Sequence, residues 1–134
     1  MEDEKYECRA HSKTRLRYHI IFSTKYRRKC LDAIREDILK VFEESQKKVG
    51  VKILCMESDS DHIHLLVKFS PSLSISKVVQ GLKFWTTKLI YERDREYLKK
   101  FYWKKDEIWT GGYFCSTIGE VSEKTLQRYI ESQG

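Results

Sequence analysis

Residues 51–69 read VKILCMESDSDHIHLLVKF, two apolar runs separated by the polar tetrapeptide Ser58-Asp59-Ser60-Asp61. Runs of this length, joined by a cluster of Ser and Asp, specify two antiparallel strands with a turn between them. In the second run, His62 to Phe69, alternation places Ile63, Leu65, Val67 and Phe69 on one face. His62 and His64 then project together from the other face, about 7 Å apart along the backbone.

Upstream, Arg15 to Ser23 (RLRYHIIFS) has the same alternation. Leu16, Tyr18, Ile20 and Phe22 share one face, and Arg15, Arg17 and His19 the other. Between these strand regions, Ile34, Ile38, Val41, Phe42 and Val49 recur at helical spacing, which predicts a helix over Asp32 to Val49 stopped by Gly50. Beyond Pro71, Ser74 is placed to cap a helix running to about Glu92, with Ile75, Val78, Val79, Leu82, Trp85, Thr86 and Leu89 as its buried stripe. Arg93 to Tyr102 reads as a short basic helix or helical loop. Ile108 to Ile118 is strand material interrupted at Gly111-Gly112, and Ser122 caps a last helix, Glu123 to Gln133. The order β-α-β-β-α-β plus a terminal helix predicts an α+β, ferredoxin-like split β-α-β antiparallel sheet with helices on one face. That topology sets the first strand beside the third, so Arg15, Arg17 and His19 are expected next to the open face of the histidine strand.

The chain has 134 residues, 40% of them hydrophobic, one proline and six glycines. This is enough for one core, so a single domain over 1–134 is expected, without low-complexity stretches. No apolar run approaches membrane-spanning length, and MEDEKYECRA resembles no secretory segment, which together predict a cytoplasmic protein. Cys8, Cys30, Cys55 and Cys115 are too scattered for a zinc knuckle and read as free thiols.

The net charge of +6 is unevenly placed. Arg9 to Cys30 holds eight basic residues and no acidic one; Lys83 to Lys105 holds eight more among seven aromatics. Cations attract phosphates and rings stack on unpaired bases, so the pattern fits nucleic-acid binding. It also fits a solvated surface over core aromatics.

Two imidazoles from one strand are able to take adjacent positions on a divalent ion, each using one ring nitrogen while a neighbour holds the other. The same pair also fits two half-exposed strand histidines. In EKTLQRYIESQG, Tyr129 and Gln133 stand at i and i+4 on one helical face. They fit a nucleophile beside an amide ligand, or a tyrosine packing its ring at a helix edge.

Taken in order, YHIIFSTKYR, DHIHLLV, the serine-capped helix with Leu82-Lys83, YFCSTIGEVS and YIESQ resemble the HUH-type single-tyrosine transposases. These are the TnpA proteins of the IS-two-hundred and IS-six-hundred-five insertion sequences, and the likeness spans nearly the whole chain. The resemblance implies that His62, His64 and Gln133 bind magnesium or manganese and that Tyr129 is the nucleophile. It implies a homodimer whose terminal catalytic helix completes the partner's histidine site, acting on single-stranded DNA with hairpin ends through a 5′-phosphotyrosine. Ser60 departs from a common proline before the Asp-His pair, and Gln133 is penultimate. For holding DNA, Arg15, Arg17, Arg27, Arg28 and Lys83 are the candidates. Because metal needs neutral imidazole, activity is expected to fade below about pH 6. The rival readings are a non-catalytic nucleic-acid module of the same topology, a domesticated relative acting on chromosomal repeats, and a phosphoesterase using water.

Overall fold

In the computed structural model, which describes residues 17–118, the alternating segments form one antiparallel sheet. Strand β1 spans Arg17–Ser23, β2 Val51–Ser58, β3 His62–Phe69 and β4 Phe114–Ile118. Their spatial order is β2-β3-β1-β4, the ferredoxin-like split β-α-β arrangement, with the first and third strands adjacent in the middle. Register sets Ile20 opposite Leu65 and Phe22 opposite Ile63.

Helix α1 covers Arg35–Val49, and the predicted start at Asp32 is a 3-10 turn, Asp32–Ile34, leading into it. Glu36 and Asp37 occupy its first turn and Lys47 and Lys48 its last, as the helix dipole favours. It ends where Gly50 adopts φ 85°, a left-handed conformation that a side chain would strain. Helix α2 covers Ile75–Lys99, its first turn closed by the Ser74 hydroxyl accepting from the Lys77 N–H. The basic stretch after Glu92 is helical, as expected, and is set off from the first part of α2 by a kink at Asp94, whose φ −130° and ψ 39° are not helical. Arg93 reaches Asp37 at 3.2 Å and Glu44 at 3.0 Å on α1, and Leu98 beyond the kink is buried.

Both helices pack on one sheet face. Ile38, Val41 and Phe42 of α1 and Val79, Leu82 and Ile90 of α2 join Ile20, Phe22, Ile63, Leu65 and Val67 in a single core. Burial of each such side chain contributes about 1.5–3 kcal/mol. Trp109 bridges Thr24 and closes the core against Phe22 and Phe42, and Gly111-Gly112 leads from it into β4.

The opposite sheet face is not open. His19 and Leu66 are wholly buried, and His64 is 2% exposed. The reason is partly a bulge in β2. Ile53 pairs with Val67 and Cys55 with Leu66, leaving Leu54 as an extra residue. Strand phase flips there, so Leu54 and Cys55 both pack with Ile118 around Leu66. Cys30, Cys55 and Cys115 are free thiols, and Cys8 lies outside the described residues. No helix among the described residues is long and apolar enough to cross a membrane.

Candidate metal and nucleic-acid site

The two histidines of β3 are held by different means. His62 is the first strand residue after the Ser58–Asp61 turn. That turn is pinned by Asp59 N–H donating to the His62 carbonyl at 2.8 Å and by Thr24 N–H and Leu31 N–H donating to the carbonyls of Asp61 and Ser60. The backbone bonds to β1 and the following loop therefore shape the turn without a proline at Ser60. Asp61 Oδ1 lies 2.8 Å from His62 Nδ1. The His62 hydrogen bond, aided by Arg27 3.3 Å away, holds the Asp61 carboxyl below the usual carboxylate range. A carboxylate only accepts, so His62 donates through Nδ1–H, while its Nε2 lies 3.8 Å from Asp59 Oδ2.

His64 is anchored by another imidazole. Its Nδ1 lies 3.1 Å from His19 Nε2, and the rings stack at 5.3 Å with 14° between planes. The edge of Phe114 meets His19 on the neighbouring strand. Burial, followed by the nearby His62 and His19, pushes the His64 pKa down to about 4. Water is scarce around this ring, so its imidazolium is poorly solvated and the neutral form is favoured.

His64 Nε2 is buried without a hydrogen-bond partner. An unsatisfied buried nitrogen costs about 1–3 kcal/mol. The His62 and His64 rings are 4.9 Å apart and 70° inclined. Two Nε2 atoms, one of them orphaned, fit a divalent ion in donor type and in the hydrogen bond at each opposite ring nitrogen. Among the described residues no group of three or more His, Cys, Asp and Glu side chains converges on one point, so these two nitrogens need a further donor. Tyr129 and Gln133 lie outside the described residues, as does Arg15.

The cationic candidates divide. Arg17 is buried on β1 opposite Ile118, on the same face as His19. Arg27 and Arg28 occupy the tight turn after β1; Arg27 reaches Asp61, and Arg28 Nη1 donates to the Phe101 carbonyl at 3.0 Å. Lys83 Nζ donates to the carbonyls of Thr110, Gly111 and Gly112 at 2.8, 3.0 and 3.2 Å. Its three N–H groups thus hold the turn into β4 rather than facing solvent. Trp85 lies half-buried beneath the Lys48 ammonium, whereas Trp103 is exposed.

Sequence reading named His19 as a neighbour of the histidine strand but assigned it no role, and passed over Asp61. The signals were present: His19 alternates with Arg17 on a strand predicted beside β3, and Asp61 directly precedes His62. Pairing each with one imidazole required the register.

A family model described as "Transposase IS200 like" matches residues 12–133. The transposases for insertion sequence element IS200 of Salmonella typhimurium and Salmonella typhi are each 33% identical over 134 residues, covering 99% of this chain and 85% of the relative. The ISDra2 transposase TnpA of Deinococcus radiodurans is 31% identical over 119 residues, covering 88% and 84%. Among solved structures, a candidate transposase of Deinococcus radiodurans R1 superposes with TM-score 0.69 at 27% identity, covering 87% of this chain and 89% of that one. A REP-associated tyrosine transposase bound to a REP hairpin shares the fold, with TM-score 0.56 at 9% identity over 88% of this chain and 64% of that one.

Proposed function

We propose, from the premise that this chain belongs to the IS200-like transposase family, that it cuts and rejoins single-stranded DNA at insertion-sequence ends through Tyr129, with magnesium or manganese held by His62, His64 and Gln133. The observation that carries this reading is the pair of Nε2 atoms, one orphaned in the interior, each opposite a ring nitrogen that is hydrogen-bonded. When bound there, a divalent ion supplies Lewis-acid polarisation of a phosphate's non-bridging oxygen.

The protein's own groups account for the rest. Asp61 holds the His62 Nδ1 and His19 Nε2 meets the His64 Nδ1, so each ring is oriented with its Nε2 as the nitrogen left to face a metal ion. Tyr129 Oη forms a bond to phosphorus as the bond to the DNA 3′-oxygen breaks. The phenol proton is lost and the departing 3′-oxygen gains one, leaving a 5′-phosphotyrosine and a 3′-hydroxyl. A different 3′-hydroxyl then attacks the phosphotyrosine and returns the phenol. One phosphodiester replaces another, so no nucleotide is consumed. Arg27, beside Asp61, and Arg28, next in the same turn, are assigned to the flanking phosphates, with Arg15 and Arg17 on the β1 side; Lys83 is assigned to the β4 turn. The substrate is DNA with hairpin ends.

A homodimer with a shared site is part of the same reading. Among the described residues β4 is an edge strand, and it carries exposed Phe114 next to exposed Tyr113. An apolar sheet edge favours pairing with a second copy.

The test incubates protein and manganese with single-stranded element ends labelled on either side of the cut. Only DNA 3′ to the cut is expected to remain attached in denaturant, and Tyr129→Phe to abolish attachment. Undiminished cleavage by Tyr129→Phe would instead establish water as the nucleophile. Binding without any cleavage would reduce the protein to a nucleic-acid module.

A further inference from the structure

We propose that Tyr26, Arg28 and Trp103 form a stacking platform for unpaired DNA bases beside the histidine pair, an extension that rests on the single-strand reading above. Tyr26 is 69% exposed and Trp103 64%, the two most exposed large apolar side chains among the described residues. They stand on segments far apart in sequence, and one side chain joins them. The Arg28 guanidinium lies 5.3 Å from the Tyr26 ring and 5.5 Å from the Trp103 ring, with the buried Tyr102 ring 5.9 Å away.

The arrangement is held from beneath. Arg28 donates to the Phe101 carbonyl, and Tyr102 Oη donates to the Lys25 carbonyl at 2.8 Å, tying the turn after β1 to the loop after α2. Solvation alone does not explain Tyr26. It and Arg27 are consecutive non-glycine residues at φ 60° and 52°, a conformation disfavoured for both. That turn sends Tyr26 outward and Arg27 back to Asp61, which holds His62. The platform is therefore continuous with the histidine site through Arg27 and Asp61.

Charge and shape favour single-stranded DNA. Asp61 answers Arg27, Glu107 answers Lys25 at 3.6 Å, and Asp106 answers Arg95 and Lys99. Among the described residues, Lys29, Lys104 and Lys105 have no ion pair, and Arg28 meets a carbonyl rather than a carboxylate. Two exposed rings bridged by a guanidinium offer flat surfaces to bases that have lost their own neighbours, with cations nearby for the phosphates. Duplex DNA hides its base faces and gains only the charge.

Binding is measured in Tyr129→Phe protein with chelator, so the result does not depend on cleavage. The probes are labelled oligothymidylate, the same backbone carrying abasic sugars, and a blunt duplex of equal length. Trp103→Ala and Tyr26→Ala are each expected to weaken oligothymidylate binding roughly ten-fold. Abasic and duplex binding should be unchanged, as should the melting temperature, and Trp103→Phe should recover most of the affinity. Equal losses on all three probes would overturn stacking in favour of a charge or folding effect, and unchanged oligothymidylate binding would overturn the platform outright. Neither outcome touches the tyrosine adduct, and failure to form that adduct leaves this binding result standing.

Discussion

The two faces of β3 are both buried, yet they do opposite things. Ile63, Leu65 and Val67 meet two helices in an apolar core where every neighbour is interchangeable in kind. His64, on the reverse side, is equally dry but surrounded by specific partners: the His19 imidazole, the edge of the His62 ring, and a nitrogen left without any bond. The first face lowers free energy by excluding water. The second leaves a buried ring nitrogen without a partner, so the two faces differ in whether burial stabilises or costs.

The largest effect should come from breaking the apolar side. Phe22→Ala removes a wholly buried ring packed against Phe42 and Trp109 and is expected to cost about 3–5 kcal/mol in urea unfolding. If the two faces are as distinct as their contacts, His19→Leu should behave differently. The His64 Nδ1 loses its hydrogen-bond partner, and manganese affinity, followed by calorimetry, should fall about 10–100-fold. Replacing both His19 and His64 by Leu should be milder for stability than replacing one, because no polar atom is then left stranded. Equal metal affinity in His19→Leu would remove it as a positioning residue.

A smaller effect sharpens the contrast through pH, measured with chelator present. The folded pKa of His64 is depressed to about 4, so its contribution is fully present above the unfolded value of about 6.5 and is lost as pH falls toward 4. Asp94 works the other way. Burial first, then a hydrogen bond with Asp37, raises its carboxyl to about 6. Its contribution is present below the ordinary carboxylate range and lost as pH rises through 6. His64→Leu should therefore flatten the acid side of the stability profile, Asp94→Asn should steepen the net loss on acidification, and Phe22→Ala should shift the curve without changing its slope. An unchanged slope in His64→Leu would show the imidazole to be better solvated than its burial implies.

Much of this was readable along the chain. HIHLLVKF announced β3 and the shared face of its histidines, Ser74 announced the start of α2, and Gly50 the end of α1, since each signal lies within a few residues of the feature it governs. Lys83 shows the limit. As a lysine in a basic, aromatic segment it reads as a phosphate contact, but three carbonyls some 27 to 29 residues downstream surround its ammonium. The break expected near Glu92 falls at Asp94, where α2 kinks, while the ion pairs of Arg93 with acids on α1 were not legible.

Periodicity and capping by themselves determined the type and order of the four strands and two long helices among the described residues, and with them a sheet having β1 and β3 at its centre. Those are local properties, set by steric and hydrogen-bonding preferences over one or two turns. Tertiary structure alone decided that Leu54 bulges out, that His19 meets His64, that Arg27 reaches Asp61, and that one arginine gathers Tyr26 and Trp103. Each depends on register or on loops closing between distant segments, where a shift of one residue exchanges one face of the sheet for the other.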